Sequence, residues 1–419
     1  QTSTGLTQSV IVRPTTTCLG AHDAILGSVP ATHANINAVF VNQNFAVIPG
    51  EWKNHDIASA FYDIVPAEQC VSEALNKIKT ADFIAFDGSF FDIIGMNAKI
   101  ERIQSFLVDK QRVHEAHVYL PESNELLYPD TTEAGFMYAI NIDSHELRRI
   151  DLNPKLGNIN GGTYHRGDVY VATNGGHARG IYKVNVTSGR AEALVNNYRG
   201  RDLNSPNDLI FDSRSNLYFT DPSYGYDQGW PQVQSPELPN AIYRFDPRTK
   251  ALTALSNSAV LMPNGLALSA DKKTHYVADS SSSSLQPASQ RAVFAFDIRE
   301  GGLLDAPRLV YQVEGGWPDG LRVTESGLLI VGVYGGADIV DPKIGNLLGK
   351  INAPDDIIFN LEPARGSGVR LLTGKKHIYK VTMSESAVKP WVAGKPPFIH
   401  AIIESVAGVL GIGSQRQEL

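Results

Sequence analysis

From about residue 115 onward, short apolar segments alternate with polar turns, and scarcely any stretch keeps the 3.6-residue period of a helix. Clusters of Pro, Asn, Asp, Ser and Gly precede most of these segments, and such clusters are typical of turns. Alternating apolar and polar positions indicate strands whose two faces meet different surroundings. The pattern predicts strands at His117–Leu120, Asp168–Ala172, Leu217–Thr220, His275–Ala278, Leu328–Val333 and His377–Val381.

The predicted strands belong to a repeat. Each copy opens with a polar residue and continues with an apolar strand, a turn and a second strand. The copies begin at Glu115, Asn160, Asn207, Asn264, Asp319 and Asn360. These positions lie 45, 47, 57, 55 and 41 residues apart, close to the length of a four-stranded propeller blade. The sequence therefore predicts an all-β fold, a six-bladed β-propeller that forms one catalytic domain over residues 101–419. A large irregular β-sandwich is the alternative, but it predicts no such period.

Residues 1–100 do not follow the repeat. Apolar spacing predicts a helix at Gln69–Thr80 and a further helical segment at Ala98–Lys110, whereas Ala81–Phe86 resembles a strand that could pair with the edge of a blade. We interpret this region as an N-terminal extension packed on the propeller.

Composition and charge narrow the function classes. The chain of 419 residues is 42% apolar and has a formal net charge of −7. The negative charge argues against nucleic acid as a partner, and no run of about 18 uncharged apolar residues occurs that could span a membrane. We expect a soluble protein that acts on a small molecule, without nucleic-acid or membrane partners. The sequence predicts no particular oligomeric state.

Three features favour secretion. The chain starts at Gln1 rather than Met, as a mature protein does after removal of a signal peptide. Cys18 and Cys70 are the two cysteines, and they lack the spacing of a zinc site. Asn185 opens an Asn-Val-Thr sequon for N-glycosylation. We expect a secreted protein with a Cys18–Cys70 disulfide and a glycan on Asn185; an intracellular protein with two free thiols is the alternative.

The residues that open the repeats are candidates for metal binding. In a propeller the innermost strand of each blade runs along the central channel, so Glu115, Asn207, Asn264 and Asp319 are expected to point toward one axis. All four offer oxygen, which suits one hard divalent cation, Ca²⁺ before Mg²⁺ because Ca²⁺ accepts irregular geometry. A divalent cation would also neutralise two carboxylates that otherwise repel each other. The simpler interpretation of Asn-Gly and Asp-Gly is a turn, but four oxygen donors at equivalent places favour a metal site.

Other residues near these openers are weaker candidates. His114 and His117 flank Glu115, and strand alternation predicts that both face away from it; packing is the preferred role and a proton shuttle the alternative. Four further residues could bind substrate, by lining the channel or by forming an apolar wall over a ligand: Asn160, Ser205, Tyr224 and Trp317.

Several motifs carry a family resemblance. They are Leu203–Asp208, Phe219–Gly225, Pro263–Ala267 and Pro318–Gly320, together with His114–Ala116, Asn160–Tyr164 and the loop Tyr226–Pro239. The first four resemble the gluconolactonase family, also called the senescence marker protein 30 or regucalcin-like family. The last three are most similar to its fungal lactonohydrolase branch. The resemblance covers residues 115 to about 383.

The resemblance implies a six-bladed propeller with one calcium-like ion on its axis. Glu115 corresponds to the family's glutamate ligand, and Asn207 and Asn264 correspond to the ligands in its Asn-Asp and Asn-Gly elements. Asp319 corresponds to the Pro-Asp-Gly aspartate, often proposed as both ligand and general base. Two elements depart from the family's pattern: the Glu-Gly-Pro of many members is Glu-Ala-His here, and the last blade, from Asn360, is atypical.

The expected function is metal-dependent hydrolysis of a lactone or similar cyclic ester, with Asp319 taking a proton from the attacking water and Glu115 as the second catalytic residue. The motifs of serine hydrolases, zinc proteases and nucleotide enzymes are absent from the sequence. Fungal secondary metabolism has recruited similar proteins as pericyclases, including hetero-Diels–Alderases that join a tropolone quinone methide to a sesquiterpene, and this chemistry is the first alternative. A metal-binding propeller without catalysis is the second.

Overall fold

The computed structural model describes residues 25–42, 57–63, 69–106, 115–129, 134–176, 179–230, 232–255, 258–281, 290–366 and 368–385. Strands make up most of these residues, and the helices are few and short, so the fold is all-β. None of the helices in these ranges has the length and apolar character needed to cross a membrane.

The N-terminal region mixes strands and helices. Its elements are β1 (Leu26–Gly27), β2 (Ala38–Val41), β3 (Phe83–Ala85), β4 (Lys99–Ser105), α1 (Gln69–Thr80), α2 (Phe90–Ile94) and 3-10 turns at Ala31–His33 and Phe61–Asp63. Along α1, Val71, Leu75 and Ile78 lie on one face and pack against Val41 and Tyr62 in a single apolar cluster. The predicted helix is therefore confirmed.

Four sheets follow, each made of four antiparallel strands in chain order. Sheet I contains β5 to β8 (Val118–Leu120, Glu125–Pro129, Phe136–Asn141, Leu147–Asp151), and sheet II contains β9 to β12 (Ile159–His165, Asp168–Thr173, Gly180–Val184, Ala191–Val195). A short hairpin, β13 (Asn197–Tyr198) and β14 (Arg201–Asp202), leads to sheet III. Sheet III contains β15 to β18 (Leu209–Phe211, Leu217–Asp221, Ala241–Asp246, Ala251–Ala254), and sheet IV contains β19 to β22 (Pro263–Leu268, Thr274–Asp279, Ala292–Ile298, Leu304–Gln312). A helix α3 (Tyr224–Asp227) and a 3-10 turn (Glu300–Gly302) lie in their connections.

The remaining strands form two further groups of four, joined through one long strand. They are β23 (Leu321–Val323), β24 (Leu329–Asp341), β25 (Asn346–Pro363), β26 (Val369–Gly374) and β27 (His377–Thr382). In sheet V, β23, β24 and the first half of β25 pair in order, and β3 follows β25 as the fourth strand. Beyond β3 this sheet continues with β2, which is parallel to β3, and β1. Sheet VI consists of the second half of β25, β26, β27 and β4. The N-terminal region therefore supplies the outer strands of both sheets.

The innermost strands of the six sheets contact one another in cyclic order. β5 contacts β9, β9 contacts β15, β15 contacts β19, β19 contacts β23, β23 contacts β25, and β25 returns to β5. Between sheets VI and I, the hydroxyl of Thr373 lies 2.8 Å from Nδ1 of His117.

Apolar side chains fill the spaces between consecutive sheets. Neighbouring residues on one strand face opposite spaces, as alternation along a strand requires. On β16, for example, Phe219 packs toward sheet II, whereas Tyr218 packs toward sheet IV. Six apolar clusters lie between sheets I and II, II and III, III and IV, IV and V, V and VI, and VI and I. The core is therefore a set of layers rather than one central mass.

Two expectations for the N-terminal region have different outcomes. The predicted strand in Ala81–Phe86 is confirmed, because β3 pairs with residues 349–351 of β25. The predicted helical segment at Ala98–Lys110 is wrong over Lys99–Ser105, where β4 pairs with β27; residues 107–110 lie outside the described residues. A long-range pairing of this kind outweighs local spacing. The division of the domains at residues 100 and 101 stays a prediction, although β4 spans it.

The buried histidine of β20 makes stability depend on pH. His275 is fully buried beside the ring of Tyr218, and neither ring nitrogen has a hydrogen-bond partner among the described residues. Burial lowers the pKa of His275 from 6.5 to about 3. The unfolded chain therefore binds a proton that the folded protein excludes, and stability falls as the pH drops below 6.5.

We expect wild type to lose about 2 kcal/mol more of its unfolding free energy between pH 7 and pH 5 than His275→Leu does. Urea unfolding of both proteins at constant Ca²⁺ measures this difference. His145→Asn, which changes an exposed histidine, is the control and should follow wild type. Identical pH profiles for wild type and His275→Leu would contradict the prediction.

Candidate metal centre

The four predicted ligands lie at equivalent places in four sheets. Glu115 precedes β5, Asn207 precedes β15, Asn264 is the second residue of β19, and Asp319 precedes β23. Each therefore lies at the start of an innermost strand, and each side chain is buried, with at most 3% of the residue exposed.

Three of the four share a local structure, in which a proline immediately precedes the ligand. We call the segments 204–207, 261–264 and 316–319 the ligand turns. Proline has a fixed φ and no N–H, so it stiffens the backbone next to the side chain that must be aimed. The ladder of sheet III then starts with Asn207 N donating to Thr220 O, and that of sheet V with Asp319 N donating to Gly332 O, both at 2.9 Å.

Each of the four side chains has a buried oxygen without a hydrogen-bond partner in the described part of the chain. These oxygens are Glu115 Oε2, Asn207 Oδ1, Asn264 Oδ1 and Asp319 Oδ1. A buried acceptor without a partner costs about 1–3 kcal/mol, so four of them at the start of cyclically arranged strands fit an electropositive ligand. Two carboxylates and two amides match the oxygen preference of Ca²⁺. The residues therefore fit a hard divalent cation.

The electrostatics of the two carboxylates agree with this fit. Burial raises the pKa of Glu115 well above its usual range, and the charges of Asp319 and Asp208 raise it further. Burial also raises the pKa of Asp319. Without a cation the pair is expected to keep a proton at neutral pH, whereas a divalent cation would favour both ionised forms.

No group of three or more His, Cys, Asp or Glu side chains suited to a metal occurs in the ranges that the structure describes. The candidate centre contains two such residues, and amides complete it. Its donor set therefore differs from that of zinc or copper sites, which rely on His and Cys.

Ser280 orients one of the amides and was not found from the sequence. Asn264 Nδ2 donates to Ser280 Oγ at 3.0 Å, and Ser280 Oγ donates to Pro318 O at 2.5 Å. Because the nitrogen of the Asn264 amide is engaged, its oxygen is the atom left without a partner. Ser280 also ties the ligand turn of Asn264 to that of Asp319. The Asp-Ser pair that ends β20 is the sequence signal that could have revealed it.

Three of the predicted substrate-binding residues lie beside the carboxylates. The Asn160 amide accepts from Asn174 Nδ2 at 2.7 Å, and its own nitrogen has no partner among the described residues. Asn160 lies near Glu115, whose pKa burial raises by more than Asn160 lowers it. Tyr224 has a buried hydroxyl without a partner in the same ranges, and burial, together with the charges of both carboxylates, raises its pKa. Half-buried Trp317 contacts Asp319 and offsets part of the rise that burial causes in the pKa of Asp319.

Ser205 occupies a different position. Its hydroxyl donates to Asn204 O at 2.7 Å and accepts from Gly225 N at 2.8 Å. With both functions used, the hydroxyl connects a ligand turn to α3. In this geometry Ser205 supports the site, and its role in substrate binding stays a prediction.

Of the two histidines next to Glu115, the structure describes His117. His114 lies outside the described residues. The alternation argument does not apply to His117, because β5 begins at Val118 and Ala116 has a φ of 49°. His117 is buried against Thr373, and burial together with Arg322 lowers its pKa to about 3. A neutral, packed imidazole agrees with the packing role.

A second polar layer lies next to the candidate ligands. Asp208 is buried and accepts from Leu209 N at 2.9 Å and from Leu266 N of the neighbouring sheet at 3.2 Å. Burial raises the pKa of Asp208, and the charge of Arg322 offsets part of this effect. Arg322 also forms an ion pair with Glu362 at 2.8 Å. Sequence reasoning missed this layer, since it connects residues from four repeats.

The features that bear on secretion are described in part. Asn185 is exposed, and its side-chain oxygen accepts from Thr187 N and Ser188 N at 3.0 and 2.9 Å. Cys18 and the side chain of Cys70 lie outside the described residues. Secretion, glycosylation and the disulfide stay predictions.

The chain is similar to known lactone-hydrolysing enzymes. It is 30% identical over 295 residues to lactonohydrolase oryL of Aspergillus oryzae, a match that covers 63% of this chain and 65% of the relative. It is 32% identical over 195 residues to a gluconolactonase of Zymomonas mobilis, which covers 44% of this chain and 51% of the relative. The matches thus span about half to two thirds of these relatives' own lengths.

Solved structures show the same fold. A gluconolactonase from Xanthomonas campestris superposes with a TM-score of 0.60 at 24% identity, over 71% of this chain and 94% of the other. A calcium-binding protein, regucalcin, from Agrobacterium tumefaciens superposes with a TM-score of 0.52 at 13% identity, over 70% and 97%. Residues 113–361, more than half of the chain, match the model of the family described as the SMP-30/gluconolactonase/LRE-like region. The resemblance seen in the sequence is thereby confirmed, and the chain belongs to the SMP-30/gluconolactonase/LRE-like family.

Proposed function

We propose that sheets I to VI are the blades of a closed six-bladed propeller with one divalent cation, Ca²⁺, near its axis. The cyclic contacts of the innermost strands and the six apolar layers support closure. Four innermost strands then deliver one oxygen ligand each, from Glu115, Asn207, Asn264 and Asp319. The four buried oxygens without partners are the observation that carries this proposal.

The function proposed for this centre is metal-dependent hydrolysis of a lactone or a similar cyclic ester. When bound, the cation supplies Lewis acidity toward the lactone carbonyl. Membership of the family and the lactonohydrolase and gluconolactonase relatives support this substrate class. We extend the proposal to secretion and to a small molecule as the partner, on the sequence features given above.

The protein's own residues divide the remaining work. Asp319 would act as the general base that takes the proton of the attacking water, because a neighbouring cation keeps its carboxylate ionised. Glu115 provides the second negative charge that holds the cation. The unpaired N–H of Asn160 and the hydroxyl of Tyr224 are donors that can orient the oxygen atoms of the substrate. Trp317 offers an apolar surface beside them.

The test is an assay on aldonolactones, aromatic lactones and simple esters, with the full chain before and after exhaustive chelation. We expect hydrolysis of at least one lactone, its loss on chelation and its recovery when Ca²⁺ is added back. Full activity after chelation would refute the metal dependence. An absence of turnover across the panel would refute the hydrolase proposal and favour the pericyclase or the non-catalytic propeller.

A further inference from the structure

Two of the three ligand turns are held by a buried aspartate at the end of the second strand of the same sheet. In sheet III, Asn204 N and Ser205 N lie three and two positions before Asn207. They donate to the two carboxylate oxygens of Asp221, at 2.9 and 2.8 Å. Asp221, which fixes this turn, is fully buried. It ends β16, the strand that pairs with β15 after Asn207.

Sheet IV repeats this arrangement. Leu261 N and Met262 N lie three and two positions before Asn264, and they donate to the carboxylate oxygens of Asp279 at 2.8 and 3.2 Å. Asp279 is fully buried as well. The same pair of backbone N–H groups is thus bound by the same kind of side chain in two successive repeats.

Sheet V lacks the aspartate. Asn207 N donates to Thr220 O, and Asp319 N donates to Gly332 O, so the residue after Gly332 takes the place of Asp221. This residue is Val333, which has no acceptor in its side chain.

The N-terminal region supplies the missing acceptor for the third ligand turn. The carbonyl oxygen of Ile57 accepts from Gly316 N, and Gly316 lies three positions before Asp319, as Asn204 and Leu261 do before their ligands. We call residues 57–63 the strap. An added Cβ on Gly315 would lie 2.3 Å from Ser59 O, so the strap and the turn are in close backbone contact.

The strap is itself anchored in the fold. Tyr62 donates from its hydroxyl to Asn352 Oδ1 at 3.2 Å, and Asp63 forms an ion pair with Lys79 of α1 at 2.9 Å. Tyr62 and Ala60 are buried in the apolar cluster that includes α1. The anchor gives the strap a defined position, so it can hold the turn as the aspartates do.

We propose that Asp221, Asp279 and the strap are equivalent positioning elements, which fix the ligand turns so that Asn207, Asn264 and Asp319 face one cation. This inference rests on the proposed function, since it assumes that the cation binds there. It assigns the N-terminal extension a role in Ca²⁺ affinity. The strap holds the ligand turn 316–319, which has no aspartate of its own sheet to hold it. In the described residues, the three elements hold the ligand turns through backbone N–H groups rather than through the side chains of the candidate ligands.

The first test uses Asp221→Asn and Asp279→Asn, each of which loses the charge and one acceptor oxygen. Residues that orient metal ligands typically contribute about 10- to 100-fold in metal affinity, and we expect a loss of that size in calorimetric Ca²⁺ titrations of the full chain. Asp356→Asn is the matched control. Asp356 is also buried and accepts from Ile357 N, Lys376 N and His377 N, but it serves another turn, and its variant should bind Ca²⁺ within twofold of wild type.

The second test displaces the strap. Gly315→Ala adds a methyl group that the backbone of Ser59 must avoid, without touching any ligand. We expect Ca²⁺ affinity to fall at least tenfold and the Gly316 amide to exchange its hydrogen faster in the ion-free protein. Gly88→Ala, where a Cβ would meet nothing within 4 Å, should change neither.

The outcomes separate the inference from the function. If wild type binds Ca²⁺, and the two aspartate variants and Gly315→Ala bind it with the same affinity, the inference is overturned and the proposed function stands. A wild type that binds no Ca²⁺ would overturn the proposed metal centre. In that case, hydrogen exchange of the backbone amides of residues 204, 205, 261, 262 and 316 is compared between the variants and wild type. Faster exchange in the variants shows that the aspartates and the strap hold the turns, and unchanged exchange overturns the inference.

Discussion

Asp319→Asn is expected to lower kcat for lactone hydrolysis by about 10²- to 10⁴-fold, the usual contribution of a general base. The variant keeps an oxygen at the ligand position but can no longer take the proton of the attacking water. It also replaces one of two buried carboxyl groups, which oppose each other's ionisation, with a neutral amide. We therefore expect the ion-free variant to be at least as stable as ion-free wild type, and Ca²⁺ to stabilise it less.

Steady-state kinetics at saturating Ca²⁺, together with thermal unfolding with and without the ion, measure both effects. Glu115→Gln should reproduce the loss of Ca²⁺-dependent stabilisation, since it removes the other charge. Asp297→Asn is the control, because Asp297 of β21 forms a partly exposed ion pair with Arg308 of β22. A wild-type kcat in Asp319→Asn would contradict its role as the base.

Gly161→Ala is expected to destabilise the protein by about 3 kcal/mol and to abolish measurable Ca²⁺ binding. A Cβ at this position would lie 1.9 Å from the backbone oxygen of Asn207 and 2.8 Å from Cα of Asp208. Both neighbours are backbone atoms, so no side-chain rotation relieves the overlap, and overpacking typically costs about 1–3 kcal/mol or more. The shift moves Asn207, one of the four candidate ligands.

Urea unfolding gives the change in stability, and calorimetry gives the change in affinity. Gly88→Ala again serves as the control for a glycine-to-alanine change in open space. Retention of both stability and Ca²⁺ affinity in Gly161→Ala would show that sheets II and III are not packed as closely as described.

The candidate ligands could be found from the sequence because each opens a repeat. Equivalent positions in a repeat occupy equivalent places in space, so the sequence alone assigns Asn207, Asn264 and Asp319 to one region. The supporting residues could not be found in this way. Ser280 and Arg322 act across sheets, and their partners are far away in the sequence.

Strands within a hairpin were predicted well, because alternation and turn residues lie next to each other in the chain. Lys99–Ser105 was misassigned, since its only strand partner in the described residues is β27, near the other end of the chain. Local spacing carries no information about such a partner. The contact between the strap and its ligand turn could not be predicted for the same reason. Ile57 supplies the acceptor because Val333 stands where the other two sheets have an aspartate.

The pairing of β4 with β27 constrains the order in which the molecule can form. His377 and Ser105, which contact each other across this pair, are separated by 272 positions in the chain. During synthesis β4 leaves the ribosome long before its partner exists, and an unpaired strand edge invites association with other chains. Such distant contacts also slow folding, so the nascent protein is expected to depend on chaperones until its last strands emerge.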